Sequence, residues 1–229
     1  MKPFRRLGEA KAPDGTVLAL FEHDGDYAIR VNGVELMSTR RHHSEDALAH
    51  AACAPLAETA GATVLVGGLG LGFTLRAALG ALATDARVVV VEIVGEVIAW
   101  NMTAEWPLAR EALLDPRVEV VRDDVAKVLA ARPASFDAIL LDVDNGAQAL
   151  TDSGNAALYQ ARGIRAAMAA LRPGGVLAYW SADDDRAFTR ALRREGLVVT
   201  AEHVPAHATA RRGHTLLVAR LPKPKAVAR

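Results

Sequence analysis

Thr63-Val64-Leu65-Val66-Gly67-Gly68-Leu69-Gly70-Leu71-Gly72 is the stretch on which the fold turns: a short apolar run meets four glycines in six positions. A strand that feeds a glycine-rich turn and then a helix lets the backbone approach a ligand closely. The spacing over Gly68, Gly70 and Gly72 is G-x-G-x-G. The dinucleotide fingerprint G-x-G-x-x-G would need a glycine where Phe73 stands, and no Walker lysine follows. A nicotinamide dehydrogenase and a nucleotide phosphate loop are both disfavoured.

Outward from this loop, apolar runs and helical patterns alternate. Strands are expected at ATVLVG, RVVVVEI, RVEVVR, FDAILLDV and GVLAYWS, with helices at about 73–83, 94–104, 124–131 and 155–171. Continuous apolar strands separated by helices predict a parallel sheet covered on both faces. GLVVTAEHV and HTLLVARL close the series across a polar loop holding Arg211 and Arg212, with no helix between them, so an antiparallel hairpin joins the sheet. Upstream, Asp24-Gly25 and Asn32-Gly33 break residues 16–40 into alternating runs, which predicts a three-stranded meander. A helical pattern then begins at Ser44, a suitable N-cap, and is closed by Gly61. The expected organisation is a small β-meander and connector over residues 1–43, an α/β domain over 44–221 and a flexible tail over 222–229.

With 229 residues, 51% of them hydrophobic, the chain can bury a full core. Its 27 basic and 27 acidic residues cancel, so charge directs it to neither nucleic acid nor membrane. No run approaches the length of a membrane span, and the N-terminus MKPFRRLGEA lacks an apolar core segment; a cytoplasmic protein is expected. The lone Cys53 excludes an intramolecular disulfide and reads as a small buried hydrophobe.

Carboxylates follow the strands. Glu92 ends the second parallel strand, twenty positions after Gly72, where it can accept from the diol of a ribose. Asp123 and Asp124 end the third; one can take an adenine amine while the other caps the next helix, and the sequence leaves open which does which. Asp142 ends the fourth, followed by Asp144 and Asn145 in DVDNG, a stretch that also suits a plain tight turn.

From about Asp26 to Leu221 this order resembles the spermidine synthase family of class I S-adenosylmethionine-dependent transferases. VNGVELM and SEDALAHA resemble the family's N-terminal sheet and acidic helix start, VGGLGLG its glycine loop, VVVVEI its ribose-binding acid, FDAILLDVDNG its catalytic loop, and LYQARGIRAAMAALRPGGVLAYWS its later helix and strand. The resemblance implies a seven-stranded, doubly wound, Rossmann-like class I methyltransferase fold with a small N-terminal antiparallel sheet. It further implies a donor site at Gly67, Gly68, Gly70, Gly72, Glu92 and Asp123 or Asp124, no metal, a small-molecule acceptor and a homodimer by analogy.

The departures bear on the chemistry. Polyamine-forming members carry an aspartate within the glycine loop that pairs with the amine of decarboxylated S-adenosylmethionine; Gly70 stands here. Without that charge the site need not repel the carboxylate of intact S-adenosylmethionine, a repulsion of several kcal/mol in a partly desolvated site. The family's Tyr-His pair is replaced by Leu48 and Ala49, and the second acid of its D-x-x-D loop by Asn145, with Asp144 one residue early. Methyl transfer to an amine- or carboxylate-bearing molecule is therefore the leading expectation. Aminopropyl transfer from the decarboxylated donor is the alternative, and a non-catalytic nucleoside-binding dimer is a third.

Asp142, Asp144 and Asn145 are the expected catalytic residues, Asp142 as general base or amine anchor. Arg40, Arg41, His42, His43 and Glu45, in the connector STRRHHSED, would lie over the mouth of the site and meet the acceptor, as would Trp180 and Ser181 at a strand's end. Trp100 and Asn101 are weaker pocket candidates, Trp100 being better suited to helix packing.

Overall fold

A computed structural model describes residues 3–142, 157–182, 184–205 and 213–222. Four antiparallel strands come first: β1 (Arg5–Lys11), β2 (Val17–His23), β3 (Asp26–Val31) and β4 (Val34–Ser38), in that order in the sheet. The expected meander is β2 to β4, and its turns are as read: Asp24, Gly25, Asn32 and Gly33 all have positive φ, the backbone that a two-residue I′ hairpin loop demands. The correction is β1. It buries only Ala10, so it carries no alternating apolar signal, although Pro13-Asp14-Gly15 marks the turn that joins it to β2.

Next come α1 (His43–Cys53), β5 (Thr63–Gly67), α2 (Phe73–Ala81), β6 (Arg87–Val91), α3 (Gly95–Met102), α4 (Arg110–Leu113), β7 (Val118–Val121), α5 (Val125–Ala131), β8 (Phe136–Leu141), α6 (Ala161–Ala170), β9 (Leu171–Ser181), α7 (Arg186–Arg194), β10 (Val198–Pro205) and β11 (Gly213–Arg220). Ser44 does not cap α1. The N-cap position is His42, and the Ser44 hydroxyl donates to the Glu45 carboxylate at 2.6 Å instead. The helix gives way at Ala54 to a short 3₁₀ turn carrying Pro55, well before Gly61. α4 and α7 stand outside the sequence expectation; α7 had a legible start, since Asp185 accepts the Phe188 amide at 2.8 Å.

The main sheet runs β10-β11-β9-β8-β5-β6-β7, parallel except where β11 pairs antiparallel with both β9 and β10. Alternation along each strand divides the core into two layers. Val64, Val66, Val88, Val90 and Leu140 face α1 to α4 and the N-terminal sheet. Leu65, Val89, Ile139 and Leu141 face α5, α6 and α7. The small sheet thus shares a core with one face of the large one, through Leu18, Leu20, Tyr27, Ile29 and Val31. β1 passes so close to α3 that a Cβ on Gly8 would lie 2.5 Å from Trp100 Nε1, and Trp100 is buried as a packing residue. Among the described residues no helix is long and apolar enough to cross a membrane.

Candidate active site

β5 has β6 on one side and β8 on the other, so the strand order reverses beside it, and the crevice beyond its carboxyl end is where an open α/β sheet binds ligand. Gly68, Gly70 and Gly72 all have left-handed backbone there, with φ of 88°, 51° and 76°. A Cβ on Gly72 would come within 2.2 Å of Ala109 Cβ, and one on Gly67 within 3.0 Å of Leu141 Cδ2. Glycine is required at Gly72 for space and for conformation, while a Cβ at Gly67 would need the Leu141 and Val125 methyls to give way slightly.

The loop is held from three sides. Gly68 donates to the Val91 carbonyl at 2.8 Å, tying it to β6. Glu92, 9% exposed, accepts the Leu69 amide at 3.0 Å through Oε2 and the Val94 amide at 2.8 Å through Oε1. Each carboxylate oxygen can accept twice, so this bracing is compatible with further donors from a diol. Asn101, 1% exposed, gives its amide to the Gly70 carbonyl at 2.7 Å and to Val97 O at 2.9 Å, and accepts the Ala109 N–H at 3.2 Å. It grips the loop from beneath, whereas the sequence suggested only a pocket wall.

Above Gly70 lies a residue the sequence reading passed over. A Cβ built there would fall 2.5 Å from Sδ and 2.6 Å from Cε of Met37, on β4. Its segment, VNGVELM, marked the small sheet but gave no sign that its last side chain crosses to the loop.

Asp142 follows β8 directly. Its amide donates to Gly67 O at 3.0 Å, and its Oδ2 accepts the hydroxyl of buried Thr74 at 2.6 Å, so its carboxylate is aimed from the first turn of α2. Successive residues of the loop are thus tied to different groups: Gly67 to Asp142, Gly68 to the end of β6 and Leu69 to Glu92. Asp144 and Asn145 lie outside the described residues. Asp124 caps α5, accepting the Ala126 amide at 2.7 Å, while Asp123 is exposed at the end of β7. The cap occupies Asp124 and leaves Asp123 facing solvent.

The connector divides. Arg40 pairs with Asp26 and Arg41 with Glu35, both on the small sheet. His42 stacks on Phe73, the first residue of α2, at 4.2 Å between centroids, and its Nδ1 lies 2.7 Å from an Asp46 carboxylate oxygen. His43 lines a groove of about 510 Å³ between α1 and α2 with Asp46, His50, Ala77 and Gly80, beside the middle and end of α2 rather than the glycine loop. Burial raises the Glu45 carboxyl above its ordinary value, opposed by the Ser44 hydroxyl. Ser181 is buried at the end of β9, and Trp180 is tilted against His214 at 4.6 Å. Among the described residues no cluster of three histidine, cysteine or acidic side chains could hold a metal.

No family model matches the chain, and no curated protein matches it in sequence. Solved structures do. Spermidine synthase from Thermotoga maritima aligns over 94% of this chain and 72% of its own, with a TM-score of 0.75 and 22% identity. A spermidine synthase in complex with the transition state analogue AdoDATO aligns over 94% and 73%, with a TM-score of 0.76 and 21% identity. A probable spermidine synthase from Corynebacterium glutamicum aligns over 96% and 81%, with a TM-score of 0.64 and 18% identity. The sheet order, the small N-terminal sheet and the braced loop thus belong to a class I methyltransferase-like fold of the kind seen in solved spermidine synthases.

Proposed function

We propose that this chain is an S-adenosylmethionine-dependent transferase that methylates a small molecule bearing an amine or a carboxylate. The observation that carries the reading is the bare Gly70: the loop is braced by Glu92 and Asn101 as a donor site requires, yet offers no side-chain charge where the donor's amino-acid end would rest.

Gly67, Gly68, Gly70 and Gly72 allow close backbone approach, Glu92 takes the ribose hydroxyls, and Asp123 takes the adenine amine. When bound, the donor supplies an electrophilic methyl carbon on a sulfonium. Asp142, aimed by Thr74, receives the proton that an ammonium acceptor must lose to expose its lone pair, or anchors a cationic acceptor beside the loop. Asp144 and Asn145, which follow Asp142 in the sequence after Val143, are the other candidates for that role. His42, fixed between Phe73 and Asp46, and Glu45, Trp180 and Ser181 form the acceptor side, while Arg40, Arg41 and His43 contribute more remotely.

Aminopropyl transfer is the second reading, favoured by the neighbour solved with AdoDATO. Product analysis separates the two. Methylation releases S-adenosylhomocysteine from intact donor and an amine or carboxylate acceptor; aminopropyl transfer releases methylthioadenosine from decarboxylated donor and putrescine. Methylthioadenosine as the only nucleoside product would overturn the first reading.

A further inference from the structure

We propose that Met37 determines donor specificity, as an uncharged wall carried by the N-terminal sheet and placed over the glycine loop. The inference rests on the donor site assigned above and names the residue that sets its preference.

Met37 pairs with Ile29 in the small sheet, and its side chain leaves that sheet to pack against the core of the main domain. The volume along the Cα–Cβ direction of Gly70 is thereby filled: both Sδ and Cε come within 2.6 Å of where a Cβ would stand. Asn101 holds the Gly70 carbonyl at 2.7 Å and the φ of 51° is left-handed, so room for a side chain there has to come from the flexible end of Met37. The loop therefore has a polar floor and a thioether roof. A thioether carries no charge and accepts hydrogen bonds weakly, so it neither attracts an ammonium as a carboxylate would nor repels a carboxylate.

Selection for an intact amino-acid end is thus shared by two distant segments: a missing side chain at residue 70 and a present one at residue 37. Neither change alone converts the site. A carboxylate introduced at residue 70 has to displace the flexible thioether end of Met37 as well as adopt a left-handed backbone, and removing Met37 alone opens a gap without supplying charge.

Calorimetric titration of the parent, Met37→Leu, Met37→Ala, Gly70→Asp and the Met37→Ala/Gly70→Asp pair, each with intact and with decarboxylated S-adenosylmethionine, tests this. The parent and Met37→Leu are expected to prefer the intact donor. Gly70→Asp should lose about tenfold or more in affinity for both donors, and the pair should recover decarboxylated donor and reverse the preference by about tenfold. Thermal unfolding of each variant, followed by circular dichroism, separates lost binding from lost fold. Gly70→Asp alone binding decarboxylated donor as well as the pair does, in a folded protein, would overturn the role of Met37. A folded parent that binds neither donor would instead remove the donor site itself.

Discussion

Asp142 gains its candidacy from the groups that aim it. Its carboxylate is oriented by a hydroxyl on α2 and its amide by the end of β5, so it is locked to the two elements that shape the loop. Asn at this position keeps an oxygen to accept from Thr74 but cannot take a proton. Asp142→Asn should therefore lower kcat by about 10² or more while donor affinity changes less than about threefold, as read by single-turnover kinetics beside calorimetry. An unchanged rate would remove Asp142 as the base.

Cys53 shows the opposite use of burial: its side chain is sealed in the core, and burial pushes its thiol from 9.0 up to about 12. Between those values the folded protein keeps the proton that the unfolded chain releases. The native state then binds more protons, and the free energy of unfolding must fall as pH rises through that window, by at most about 1.4 kcal/mol per pH unit. Cys53→Ala lacks this contribution. Urea midpoints of parent and variant should converge from about pH 9 upward; a constant gap would refute the linkage.

The glycine loop is an element whose backbone was legible and whose supports were not. G-x-G-x-G announces left-handed residues, and all three have them. Glu92 was marked by its strand end, though as a ligand for ribose and not as a brace; Asn101 and Met37 reach the loop from at least 31 positions away in sequence, and no local pattern marks such long-range contacts. Apolar runs likewise located the five parallel strands and the closing hairpin, most plainly β5, β6 and β8, which are buried almost throughout. They missed β1, whose single buried side chain gives no period.

Gly72→Ala combines two penalties, left-handed backbone and overlap with Ala109, and should cost about 2–4 kcal/mol of stability. Adding Ala109→Gly should relieve the overlap and return part of that loss. Chemical denaturation of the two variants measures it, and no recovery in the double variant would mean that backbone strain accounts for the whole cost.

The two sheets are coupled through one core and through the contacts of Gly8 with Trp100 and Met37 with Gly70. A ligand seated on the loop would press on both. Donor binding should therefore slow amide hydrogen exchange in β4 as well as around Gly68–Gly72, while exchange in β10, at the far edge of the large sheet, stays as it was. Protection confined to the loop would mean that the small sheet is a bystander.

The pairing of β5 with β8 has a meaning for the order in which the chain is made. Val64 and Ala138 lie side by side in the sheet though 74 positions apart in sequence, and the crevice straddles that seam. On the ribosome the glycine loop and Glu92 emerge well before their neighbour strand, with half of the crevice still unsynthesised. If the crevice takes the nucleoside proposed for it, that ligand would stabilise the fold in full only after Asp142 has cleared the exit tunnel and β8 has paired with β5.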